Sequence, residues 1–165
     1  QDGAQVMHCL AGTSKASIFV ATTGGYGFFT KLRDMVSNRR AGRDFMSMPE
    51  SEFPITPQFF NHETDHLVAV VSEKGKLLIF SAEEIKFLSK GRGVIVMGLD
   101  GDDKLSATAL LNKRTAKIIG HSPRAQKVDT ILITGDKFEH HYLRRARMGR
   151  VLPRKLIGPH SISGG

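Results

Sequence analysis

Residues 18–48, IFVATTGGYGFFTKLRDMVSNRRAGRDFMSM, and residues 67–97, LVAVVSEKGKLLIFSAEEIKFLSKGRGVIVM, carry the same parts in the same order. An apolar strand leads into a glycine turn, at Gly25 in one stretch and Gly75 in the other. A second aliphatic or aromatic strand follows, then a polar stretch that ends at Gly-Arg and a third strand. Ala41-Gly42-Arg43 matches Lys90-Gly91-Arg92 at that step. The copies lie about 50 residues apart, and self-similarity at such a period marks a repeat of one supersecondary unit. Cationic loops recurring in register predict a surface that meets a polyanion once per unit.

Outside these units strand signals still dominate. Short β-branched or aromatic runs alternate with Gly, Pro, Asn and Asp, the pattern of an all-β domain. Strands are expected at Val6–Ala11, Ser17–Thr23, Gly27–Lys31, Arg43–Met48, His66–Ser72, Lys76–Phe80, Gly93–Leu99, Leu105–Leu111, Ala116–Ile119, Val128–Thr134 and Phe138–Leu143. Gly24-Gly25 and Lys74-Gly75 supply the positive φ of tight hairpin turns. Only Ala82–Leu88 hints at helix, and Pro49, Pro54 and Pro57 make the segment between the units an irregular crossover. A degraded third copy is expected over 128–157, with its hairpin in VDTILITGDKFEHHYL and its basic loop in RARMGR. The strongest units are 17–48 and 66–99. Short repeated β units predict a propeller-like array, which hides most sheet edges by radial repetition.

The 165 residues suit a single domain, 1–165, and a 40% apolar content suffices for a sizeable core. No apolar run approaches the roughly 20 residues of a membrane span. Gln1-Asp2-Gly3 does not read as a signal peptide. One cysteine, Cys9, leaves no internal disulfide and points to a reducing cytosol. The net charge is +8, and its distribution is more telling than its size. Lys31, Arg33, Arg39, Arg40 and Arg43 face a single acid, Asp34, in their stretch. Arg144, Arg145, Arg147, Arg150, Arg154 and Lys155 cluster without any acid among them. Acids collect elsewhere, at Glu50–Glu52, Glu83-Glu84 and Asp100–Asp103.

His62-Glu63-Thr64-Asp65-His66 spells the zinc-protease motif, whose chemistry needs both imidazoles on one helical face. Here it follows two prolines and runs into the strand pattern of Leu67–Val71, so a polar loop is expected and no metal site is assigned. His140-His141 is expected on a strand with the rings on opposite faces. Gly25-Tyr26-Gly27 begins like a dinucleotide fingerprint, but no helix follows and it reads as a hairpin turn. The basic glycine loops survive this sifting. Arg39-Arg40-Ala41-Gly42-Arg43 and Lys90-Gly91-Arg92-Gly93 combine cations with glycines that let a backbone approach a phosphate.

The Gly-Tyr-Gly-Phe turn at 25–28, the Asn-Arg-Arg-Ala-Gly-Arg loop at 38–43 and the Leu-Ser-Lys-Gly-Arg-Gly loop at 88–93 make the chain resemble a known family. That family is the C-terminal domain of the A subunit of bacterial DNA topoisomerase IV, related to the gyrase A C-terminal domain. The likeness is good over 17–99 and weaker beyond. It implies a β-pinwheel, in which four-stranded blades exchange a strand with their neighbours, and duplex DNA bent over a basic outer rim. About three units are visible, which leaves an open or C-shaped array as the alternative to a closed ring. The gyrase-type box Gln-Arg-Arg-Gly-Gly-Lys-Gly is replaced by Ser37–Arg43, which favours the topoisomerase IV branch. The resemblance also implies a heterotetramer of A and B subunits that passes one duplex through another, with ATP and Mg2+ used outside this domain. The family's cleaving tyrosine has no counterpart in Tyr26 or Tyr142.

The expected DNA contacts are Lys31, Arg33, Arg39, Arg40, Arg43, Lys76, Lys90, Arg92, Arg144, Arg145, Arg147, Arg150, Arg154 and Lys155. Cofactor-binding and catalytic residues are not assigned, and the expected location is cytoplasmic, at the nucleoid. Two rivals remain: a propeller whose basic rim binds acidic proteins, and a zinc hydrolase using His62, Glu63 and His66.

Overall fold

The computed structural model describes residues 5–124 and 127–165, so Gln1-Asp2-Gly3 lies outside the described residues. In chain order its elements begin with β1 (Ser17–Ala21), β2 (Tyr26–Lys31), α1 (Leu32–Met35), β3 (Gln58–Phe60), β4 (Leu67–Ser72), β5 (Lys76–Ser81) and β6 (Val94–Ile95). They continue with β7 (Leu105–Leu111), β8 (Thr115–His121), β9 (Val128–Thr134), α2 (Gly135–His141), β10 (Arg150–Val151) and β11 (Ile157–Gly164).

Three antiparallel hairpins, β1–β2, β4–β5 and β8–β9, set the plan. Gly25 donates its N–H to Thr22 O and Gly75 donates to Ser72 O, both at 3.0 Å. Their φ values are 82° and 77°, so the same glycine position closes the same turn in the first two hairpins. Each hairpin runs into a helical turn: α1, a 3-10 turn at Ala82–Glu84, or α2. Then comes a basic loop. A two-residue strand next crosses to the preceding hairpin, β6 joining β2 and β10 joining β5. A further strand returns to the hairpin's own first strand, β3 to β1, β7 to β4 and β11 to β8. The sheets are therefore β3-β1-β2-β6, β10-β5-β4-β7 and β11-β8-β9. Each of the two four-stranded blades borrows its edge from the next unit, which is the strand exchange of a pinwheel.

The crossing needs glycine. Gly93 (φ 84°) and Gly149 (φ 71°) immediately precede β6 and β10. A Cβ at Gly93 would lie 2.3 Å from Gly27 O, and one at Gly149 would lie 2.8 Å from Leu77 O. Gly27 and Leu77 are the second residues of β2 and β5, so the two crossings are equivalent.

The unbroken apolar run of β4 reflects burial on both faces. Leu67, Ala69 and Val71 pack toward the third blade with Ile118, Ile131 and Phe138. Val68 and Val70 pack toward the first blade with Phe19 and Phe29. The first blade's other face, Ile18, Val20 and Phe28, is covered by Leu10, Met35, Phe45 and Met46. The far side of β9 is open, with Val128 and Leu132 69% and 54% exposed.

The all-β pinwheel expectation holds, with several local corrections. Val6–Ala11 forms no strand; both edges of β1 are already taken, by β2 and β3. Arg43–Met48 contributes only a bridge from Met46 to Gly91, because Phe45 and Met46 pack onto Ile18, Val20 and Phe28 rather than pairing in a sheet. The expected Gly93–Leu99 strand shrinks to β6. Phe138–Leu143 is not a strand: α2 covers Gly135–His141, and its alternating pattern arises from Phe138 and His141 facing the core across one helical turn. The third hairpin is β8–β9 rather than 128–143. Hairpins therefore open at Ser17, Leu67 and Thr115, a nearly constant step. β3 and β11 lie outside the predicted strands.

Candidate nucleic-acid interface

The three basic loops follow equivalent helical turns and are joined in series by backbone hydrogen bonds. Gly91 in the second loop donates to Phe45 O at 2.8 Å and accepts from the Ser47 N–H at 3.0 Å, both just after the first loop. The third loop joins the segment that follows the second loop, just past β6, through Ala146 N–H to Val96 O at 3.3 Å and Gly98 N–H to Arg147 O at 2.9 Å. Gly42 (φ 79°) and Gly91 (φ 128°) need the left-handed region, and a Cβ on either would meet nothing within 4 Å. Open space around a loop glycine is what a close-approaching phosphate requires.

The fourteen sequence-predicted cations divide into two groups. Arg33, Arg39, Arg40, Arg43, Lys90, Arg144, Arg147 and Lys155 are exposed and have no ion pair among the described residues. The other six are engaged internally. Arg92 stacks 3.8 Å over the Tyr26 ring and pairs with Glu52 at 2.9 Å. Glu52 in turn accepts from Thr22 Oγ1 at 2.7 Å, and a Cβ at Gly24 would collide with its carboxylate. Arg145 donates from Nη1 to Ile95 O at 2.5 Å, and its backbone N–H reaches Glu84 Oε2 at 3.1 Å. Lys76 pairs with Asp100 at 2.8 Å, Arg154 with Asp129 at 2.7 Å, and Arg150 meets His140 Nδ1 at 2.7 Å. Lys31 donates to Ser17 Oγ at 2.6 Å and lies 5.3 Å from the Phe87 ring centroid. The Lys76 contact, reinforced by Asp100's own backbone, holds that carboxyl below the usual range.

The zinc-protease motif forms a turn. Asp65 N–H donates to Asn61 O and Asp65 Oδ2 accepts from the Asn61 N–H, both at 2.8 Å. His62 stacks on Phe87 at 5.3 Å with its Nε2 2.7 Å from Ser17 Oγ. Among the described residues, no group of three or more His, Cys, Asp or Glu side chains is placed to hold a metal. His140 and His141 lie on α2 rather than a strand, with rings edge to face at 5.2 Å. His141 is buried and its Nδ1 lies 3.3 Å from Leu77 O. Sequence reasoning missed an aromatic cleft of about 580 Å³ where the first two blades meet, lined by Phe29, Phe60, His62 and Phe87. The signal was the exposed Phe87 between Lys86 and Lys90.

Comparison with known proteins agrees with this architecture. The family model described as DNA gyrase C-terminal domain, beta-propeller, matches residues 66–112. The chain is 28% identical to the A-type chain of DNA topoisomerase 4 from Pseudomonas aeruginosa over 145 residues, covering 84% of this chain and 19% of that protein. It is 26% identical to the Escherichia coli K12 protein of the same name over 174 residues, covering 99% of this chain and 23% of that protein. The chain thus spans about a fifth of the length of these curated relatives. The structure of the E. coli ParC C-terminal domain superposes with a TM-score of 0.84 at 23% identity, covering 99% of this chain and 66% of that one. The resemblance carried by the glycine turns and basic loops is borne out. Among the described residues no helix is long and apolar enough to cross a membrane.

Proposed function

We propose that this chain is the DNA-binding and DNA-bending C-terminal domain of the A-type chain of a bacterial topoisomerase IV, built as one domain from all 165 residues. The observation that carries the reading is the serial hydrogen bonding of three basic glycine loops, one per unit. Loops tied together at fixed spacing present cations along a path, and neutralising phosphates along it releases counterions. The eight of those fourteen cations that have no ion pair among the described residues supply the main phosphate contacts. Lys31, Lys76, Arg92, Arg145, Arg150 and Arg154 act mainly by holding the loops in place, because each must give up an internal partner to meet a phosphate. Bending 20–30 base pairs by 40–90° costs on the order of 1–6 kcal/mol, which distributed contacts offset. Sequence preference is low, since duplex phosphates carry no base information.

The whole protein would be a type IIA topoisomerase, an ATP-dependent isomerase assembled from A and B subunits. In it this domain guides the transported duplex during relaxation and decatenation in the cytoplasm, at the nucleoid. Strand cleavage belongs to another part of that protein. Here Tyr26 lies under Arg92 and Tyr142 lies 4.8 Å from the Arg114 guanidinium.

Electrophoretic titration of the chain against relaxed and supercoiled circles, at low and high salt, tests this reading. Binding to both circles that weakens steeply with salt and withstands an acidic polypeptide competitor is expected. Preferential capture by the acidic polypeptide would favour the protein-binding rival instead.

A further inference from the structure

The cleft between the first two blades is walled by rings and bordered by opposite charges. The Phe29 and Phe60 rings stack at 4.2 Å, and His62 and Phe87 lie nearly parallel at 5.3 Å. Phe87 remains 45% exposed despite these neighbours. The cleft volume, about 580 Å³, falls within the roughly 300–1,000 Å³ of small-ligand clefts. Lys31 lies against the Phe87 ring, and the exposed Lys86 and Lys90 flank that residue in the chain. The chain from Lys86 to Leu88 is fixed along β2, with Phe29 N–H donating to Lys86 O at 2.9 Å and Leu88 N–H to Phe29 O at 2.8 Å. Phe87 is therefore held on a rigid strand edge at the mouth of the second basic loop. Asp65, His66 and Glu83 also line the cleft.

We propose that this cleft receives one unpaired nucleobase from DNA lying along the basic loops, so that the domain holds locally melted or bulged DNA more tightly than intact duplex. The proposal rests on the DNA-binding reading above. An exposed aromatic ring beside lysines is the arrangement on which single-stranded bases stack while their phosphates are neutralised. The two kinds of charge suit the two ends of a nucleotide. Lys86 and Lys90 attract the phosphate, while Asp65 and Glu83 repel it and accept from exocyclic amino groups of a base. A purely apolar peptide anchor would use the rings and leave both sets of charges unmatched.

The test compares a short duplex with the same duplex carrying one unpaired 2-aminopurine, using the 165-residue chain. The bulged duplex should bind on the order of tenfold more tightly, and its fluorescence should be quenched on binding. Phe87→Ala should remove both effects and leave affinity for intact duplex unchanged. Phe87→Leu, which keeps apolar contact with Phe29 and Phe60, should also lose the quenching. Equal affinity for the two duplexes, an unquenched fluorophore, or equal losses on both duplexes in Phe87→Ala would overturn the proposal. Salt-dependent binding of intact duplex without any bulge preference would reject the cleft while leaving the domain's function standing. Failure to bind either duplex would reject both.

Discussion

At Gly93 and Gly149 an added methyl group would run into a backbone carbonyl, whereas at Gly42 it would enter open solvent. All three have positive φ, so alanine at any of them carries a conformational cost of roughly 1 kcal/mol. Only the first two add a clash that backbone must relieve. Urea unfolding should therefore rank Gly93→Ala and Gly149→Ala as clearly more destabilising than Gly42→Ala, by about 1–2 kcal/mol. Equal effects at the three sites would refute the need for glycine at the crossings. Arg92 and Arg40 should separate in a similar way. Arg92→Ala removes a stacked cation and leaves Glu52 without its ion-pair partner, costing about 1 kcal/mol of stability. Arg40→Ala should leave the unfolding midpoint unchanged and weaken DNA binding. His141 gives the fold a pH dependence. Burial pushes its imidazole below the ordinary 6.5, the charges of His140 and Arg150 push the same way, and the Leu77 carbonyl opposes them. A depressed imidazole pKa means the unfolded chain takes up the proton first. Its contribution is complete above about pH 6.5 and declines as pH falls below that value. His141→Gln should flatten this decline in thermal melts between pH 7 and 5. Part of it should persist through His160, whose imidazole burial also depresses. An unchanged profile would remove His141 as a source.

The elements most legible in the sequence are those in the middle of the array. Leu67–Val71 and Leu77–Phe80 are apolar on both faces because a blade covers each side, so they read as unbroken runs. Gly25 and Gly75 announce their turns for the same conformational reason. The third hairpin was illegible because its turn has no glycine: Ser122 N–H closes on Lys127 O at 2.9 Å. Gly135 (φ 54°) instead opens α2, which drew the expected turn to the wrong end of β9. β6 and β10, at two residues each, are too short for any periodicity to show. The basic clusters were visible as composition, but their internal partners were not. Arg92 finds Glu52 from 40 positions away, and the Arg145 guanidinium finds Ile95 O from 50. Burial on one or both faces has an energetic consequence for neighbouring blades. Leu78→Ala on β5 should cost roughly 2–5 kcal/mol. Leu132→Ala on the open face of β9 should stay within about 0.5 kcal/mol. Comparable losses in denaturant titrations would mean that another surface covers β9.

Across the whole molecule, three loops from three units are tied in series by backbone hydrogen bonds, and the proposed function makes of them one path for phosphates. If about six phosphates are met, log K against log salt should fall with a slope of roughly −5. Arg40 in the first loop and Lys90 in the second sit in different units, and the proposed path includes both. Removing either should weaken binding to unrelated duplexes alike and make the slope about one unit shallower. Independent contacts on a shared path should combine with nearly additive losses. The most direct measurement is therefore the salt dependence of duplex affinity for the unaltered chain, Arg40→Ala, Lys90→Ala and the double variant, on two unrelated sequences. A shared phosphate path predicts a steep linear fall, a step of about one unit in slope for each single variant, and about two for the double, on both sequences. Binding that ignores salt, losses confined to one sequence, or a double variant that binds as tightly as the unaltered chain would contradict it.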